Sequence, residues 1–182
     1  HYQSSLFLTT VITIVLGLYV FIRRPHSRIS RTFCLYSLSV AFWTSCQAMA
    51  SFSSDPAISL AWMRAVFYIV AAFPVLLIHF FSAFLRIDQR KVCCLGWCLV
   101  ALFSLFIPSR TFLQPGETLA FLPSMPRGGL LFLPFNLAWF GWIFYDFWLL
   151  ARGPQSGLKP TQQQASFLLA VFVFGYLAAC TN

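Results

Sequence analysis

The stretch WMRAVFYIVAAFPVLLIHFF, residues 62–81, is twenty positions long and almost wholly apolar, yet it contains Arg64 and His79. As a helix rising 1.5 Å per residue, a run of this length matches the roughly 30 Å hydrocarbon core of a bilayer. Five further apolar blocks accompany it, divided by short polar stretches. A spanning segment needs roughly 17–25 mostly apolar residues, and six segments qualify: 5–22, 32–52, 60–85, 92–108, 130–151 and 164–181. Lipid offers no partner to an open backbone, and strict alternation is too poor for barrel strands, so the spans are expected to be helices. The expected fold is all-α, a polytopic transmembrane helix bundle occupying residues 1–182.

Composition agrees with the lipid bilayer as the surrounding partner. Only 9% of the residues are charged and 59% are hydrophobic, whereas a soluble domain carries about 25% charged residues. The net charge of +8 does not point to nucleic acid, because the basic residues are scattered between apolar blocks without interleaved aromatics. They act instead as topology determinants. With the N-terminus outside, the inner loops hold nine basic residues: Arg23, Arg24, Arg28, Arg31, Arg86, Arg90, Lys91, Arg152 and Lys159. The outer segments hold two, Arg110 and Arg127. That bias sets the N-terminus outside. Six spans then return Asn182 to the outer side with no basic stop, so a further segment is expected after it.

Most loops are short. In SFSSDPAIS, Asp55-Pro56 stops one helix and Ser59 is available to cap the next. The exception is the outer stretch 108–129, with four prolines and a PGE turn between TFL and TLAFL. It reads as a hairpin or lid over the outer end of the bundle, or as an irregular linker.

At 100° per residue, Arg64, Tyr68, Val75, His79, Ser82 and Arg86 fall on one stripe of the third span, expected to face the bundle interior. Arg64 lies about one turn from the outer end. It serves as an interface anchor, pairs with Asp55 or Glu117, or grips an anionic ligand. His79 stands about 10 Å below Arg86, and Asp146 about 9 Å below Arg152, at 1.5 Å per residue. At matching depths the two are expected to face each other or share a polar pocket. The other arrangement has His79 bonded to a helix carbonyl and Asp146 reaching the inner interface. Pro74, mid-span, frees a carbonyl one turn back and predicts a bend.

Catalytic and cofactor chemistry is not expected. Cys93, Cys94 and Cys98 have neither zinc nor redox spacing. No G-x-S-x-G, H-E-x-x-H or glycine-rich phosphate loop occurs. The absence of an internal repeat lowers the case for a transporter or channel component, which stays as the alternative. Small residues at Ser37-Ala41-Ser45 and Gly175-Ala179 allow close helix packing.

The order of these features resembles a known family. The first span ends in RRPHSRISR, the second carries Trp43 in AFW, and the third combines Trp62, Arg64, Tyr68 and Pro74. The sixth follows PTQQQ and ends in Thr181-Asn182. This is similar to the N-terminal seven-transmembrane region of bacterial sensor histidine kinases, found also on diguanylate cyclases and related signalling enzymes. The resemblance implies a sensor in the bacterial cytoplasmic membrane, a seventh span and cytoplasmic output module beyond Asn182, and a homodimer. It adds Trp43 and Asn182 to Arg64, Tyr68, Pro74, His79 and Asp146 as ligand or coupling candidates. An outer cavity lined by Arg64 and Tyr68, under the 108–129 loop, would receive an unknown small-molecule or membrane stimulus. No phosphoacceptor or ATP-binding motif is present, so this segment is not itself a kinase.

Overall fold

A computed structural model of the chain describes residues 2–115, 127–152, 164, 166–170 and 172. Five long helices dominate: α1 (Tyr2–Arg23), α2 (Arg28–Phe52), α3 (Pro56–Leu85), α4 (Arg90–Phe106) and α5 (Phe132–Arg152). Between α4 and α5 stand two short strands, β1 (Leu113–Gln114) and β2 (Arg127–Gly128). The all-α class is observed, the strands being a local device. Residues 164, 166–170 and 172 are helical. The remainder of the sixth expected span, and Asn182 after it, lie outside the described residues.

Among the described residues, two helices are long and apolar enough to cross a membrane by length and composition alone, Ser4–Arg23 and Pro56–Leu85. The others depart from that pattern for local reasons. Helix α4 has 17 residues, about 25 Å at 1.5 Å each. Helix α2 buries Ser30, Ser37 and Thr44, and α5 carries Asn136 and Asp146 among its aromatic residues.

The start of α3 is set by its cap. Asp55 Oδ1 accepts the Ala57 N–H at 2.8 Å, and Pro56 takes the first helical position, where no N–H is needed. Ser59, expected as the cap, lies one turn inside and is buried, its N–H bonded to the Asp55 carbonyl at 2.9 Å. The helix ends at Arg86, whose φ of 57° and ψ of 36° reverse the chain.

Helix α3 is the centre of the bundle, touched by α2, α4 and α5, while α1 packs on α2. Residues 71–78 are buried on every side. This corrects the expected inward stripe: Tyr68 and Arg86 are exposed, because a helix enclosed by several neighbours has no single inward face. On α2, the small stripe does bring helices close. A Cβ placed on Gly17 would stand 2.7 Å from the Ser37 Cβ, and the Thr10 and Thr44 hydroxyls bond at 2.7 Å.

Two apolar clusters divide α3 lengthwise. Toward the α3–α4 turn lie Leu77, Phe80, Phe81 and Leu85 with Leu149 and Leu150, joined by the Phe172 ring, 5.4 Å from that of Phe81. Toward the strands lie Ala71, Ile107, Phe112, Leu113 and Phe135. The strands form an antiparallel hairpin pairing Leu113 with Gly128 and Gln114 with Arg127. The described returning strand is Arg127-Gly128; TLAFL, the run expected to return, lies outside the described residues. Phe112 is 0% exposed, and its ring meets those of Phe67, Phe132 and Phe135 at 5.2 to 6.0 Å.

Candidate functional site

Proline has no N–H, so Pro74 leaves the carbonyl of Val70 without its intrahelical donor. In a membrane bundle such a group needs another partner. Trp139 of α5 supplies it: its indole Nε1 donates to the Val70 carbonyl oxygen at 2.8 Å. The bond ties α5 to α3 at the junction between the two clusters, since Ala71 belongs to one and Leu77 to the other. A void of about 20 Å³, bordered by Pro74, Val75, Gly96 and Trp139, lies beside it.

This arrangement makes a specific prediction. Trp139→Phe keeps a ring but orphans the Val70 carbonyl, and is expected to destabilise the bundle by about 0.6–1.7 kcal/mol, the range for hydrogen bonds between membrane helices. Pro74→Ala restores the missing N–H, so Trp139→Phe in that background is expected to cost much less. A double-mutant cycle of unfolding in detergent micelles measures the coupling.

His79 is held by two residues of α4. The Trp97 Nε1–H donates to His79 Nε2 at 3.1 Å. With Nε2 accepting, the neutral ring carries its proton on Nδ1, which lies 3.8 Å from Cys93 Sγ. The expected direct pairing with Asp146 is not formed. Asp146 is 0% exposed, and neither carboxyl oxygen has a hydrogen-bond partner among the described residues. The two share a neighbourhood through Cys93, which touches His79 and lies within electrostatic reach of Asp146. Matching depth did not align them, because the packing of α5 on α3 sets which way Asp146 turns.

The remaining candidates divide. Trp43 packs edge-on against Phe73, ring centres 5.6 Å apart, and serves the α2–α3 contact. Arg64 has a buried Nε without a partner among the described residues. Asp55, one of its expected partners, is occupied in capping α3, and Glu117, the other, lies outside the described residues. Tyr68 is 39% exposed, and beyond it the Phe67 ring packs with those of Phe112, Phe132 and Phe135, while residues 116–126 of the loop expected over the cavity lie outside the described residues. Sequence reasoning missed Trp139, Trp97 and Cys93. The signal for the first was the carbonyl freed by Pro74, which calls for a donor, but with six tryptophans in the chain it does not say which.

A central helix interrupted by proline, clamped by a neighbour and flanked by a buried acid defines a helical membrane bundle with polar groups inside it. The chain matches, over residues 5–181, the family described as the N-terminal 7TM region of histidine kinase, and it belongs to that family. No curated protein and no solved structure matches it.

Proposed function

We propose that this chain is the membrane-embedded input domain of a bacterial two-component histidine kinase, relaying an outer or intramembrane stimulus to a cytoplasmic output module. The family match over residues 5–181 carries the reading. In it the bundle sits in the cytoplasmic membrane as a homodimer, with six spans from this chain and a seventh beyond residue 182. The hairpin end faces outward and the α3–α4 turn inward, as the distribution of basic residues favours.

The moving part in this reading is the junction at Pro74. A stimulus that shifts α5 against α3 alters the Trp139–Val70 bond. Asp146, two turns further along α5, then meets different neighbours. Such a relay is allosteric only through contacts that differ between two states, and an acid without a partner among the described residues is a group that another state can satisfy.

Reading the coding sequence past Asn182 tests the proposal. A seventh apolar span followed by a helical phosphoacceptor region and an ATP-binding glycine motif supports it. A stop codon, or six further spans, overturns it in favour of a transporter. In the full-length protein, Arg64→Ala and His79→Ala are expected to change signalling output, and an unchanged response would make both residues structural. Orientation is checked separately. Alkaline phosphatase, active only outside the cytoplasm, is expected to be active when fused after Arg110 and silent when fused after Gln89.

A further inference from the structure

A cavity of about 500 Å³ opens between the α1–α2 turn, the last turns of α3 and the start of α4. Its charge is uneven. Arg28, Arg86 and Arg90 line it against one carboxylate, Asp88. That acid is engaged by Arg90, its Oδ1 accepting the Arg90 N–H at 3.1 Å and lying 3.6 Å from Nε. Arg28 and Arg86 have no ion pair among the described residues.

Four further observations converge on the same space. Arg86 is the non-glycine residue with positive φ, 57°, among the described residues. At the end of a helix that conformation favours glycine, so an arginine there places a guanidinium at a backbone cost. Ser27, the N-cap of α2, makes no side-chain capping bond, leaving the positive end of a 25-residue helix open at the cavity wall. Ser82 also lines the cavity, and its buried Oγ lacks a partner among the described residues. His79, fixed by Trp97 and Cys93, lines it about 10 Å deeper along α3 than Arg86.

From this we infer that the cavity binds a phosphate-bearing anion, its phosphate held by the Arg28 and Arg86 guanidinium groups and its organic part extending toward Ser82 and His79. Guanidinium matches phosphate in both charge and hydrogen-bond geometry, and the volume falls within the roughly 300–1,000 Å³ of small-molecule sites. The phosphate belongs either to an anionic phospholipid headgroup in the adjoining leaflet or to a soluble phosphate. The inference needs the membrane bundle but not the kinase reading, since it would stand whatever follows residue 182.

The test separates the two sources. The purified protein is titrated with phosphatidylglycerol in detergent and bound lipid counted by native mass spectrometry. It is then unfolded thermally in phosphatidylcholine nanodiscs with and without inorganic phosphate. The variants are Arg28→Gln and Arg86→Gly, both at exposed positions, the second suited to its backbone. Arg24→Gln, whose arginine is exposed and does not line the cavity, is the control. Saturable phosphatidylglycerol binding that weakens about fivefold for each site variant, and not for the control, assigns the lipid headgroup. Stabilisation by inorganic phosphate that the site variants lose and the control keeps assigns a soluble phosphate. If neither ligand distinguishes the site variants from Arg24→Gln, the arginines act as general surface charge and the inference is overturned.

Discussion

Replacing Asp146 with leucine is expected to stabilise the bundle by about 2 kcal/mol or more while abolishing the response of the full-length protein. The reason is the state of its carboxyl group, which is fully buried with neither oxygen bonded among the described residues. Burying a polar group without a hydrogen bond costs roughly 2–7 kcal/mol, depending on the reference state. Exchange of buried charged groups for well-packed apolar residues is often stabilising. Leucine suits the site, since α5 buries Ile143, Leu149 and Leu150 around it. An acid kept at such a cost inside a membrane bundle points to a working group, hence the paired loss of response. Thermal unfolding in nanodiscs gives the first readout and output activity the second. Asp146→Asn, which retains a polar side chain of similar shape, is expected to leave stability nearly unchanged. A large destabilisation by leucine would mean that the carboxyl has a partner in the segments beyond the described residues, and that its role is structural.

The second large effect is expected at Gly129. A Cβ there would collide with the carbonyl oxygen of Thr111 and lie 2.8 Å from that of Arg110. Both are backbone atoms, which cannot rotate aside as a side chain can. The approach is tight because Gly129 donates its N–H to the Phe112 carbonyl at 2.9 Å, and Leu131 donates to that of Thr111 at 3.0 Å. Gly129→Ala is expected to destabilise the protein by about 1–3 kcal/mol, the usual range for overpacking, by lifting the hairpin and drawing Phe112 from its ring cluster. Gly141 provides the opposite case. Among the described residues its Cβ would meet nothing within 4 Å, and alanine is better than glycine inside a helix by roughly 0.5–1 kcal/mol, so Gly141→Ala is expected to stabilise. One substitution with opposite signs at two glycines is read from two melting curves. A neutral Gly129→Ala would show that the hairpin is not seated on the bundle.

What the chain's sequence determined by itself is local. Apolar length located the helices and Asp55-Pro56 marked the start of α3, because capping and helix formation join residues within about four positions of each other. The stretch after α4 showed as a hairpin candidate, but the pairing of Leu113 with Gly128 was not legible, because it depends on how Phe112 and Leu113 seat against α3 and α5. Pro74 shows a similar division. That it frees the Val70 carbonyl follows from proline's covalent structure, while the donor, Trp139, lies 69 residues away. The tertiary structure alone decided the partners of His79, which are Trp97 and Cys93, 18 and 14 residues distant, and left Asp146 without a hydrogen-bond partner among the described residues. Periodicity places a residue around its own helix axis, and depth places it along the membrane normal. Neither says how one helix is rotated against the next, which is set by the packing of large side chains around α3.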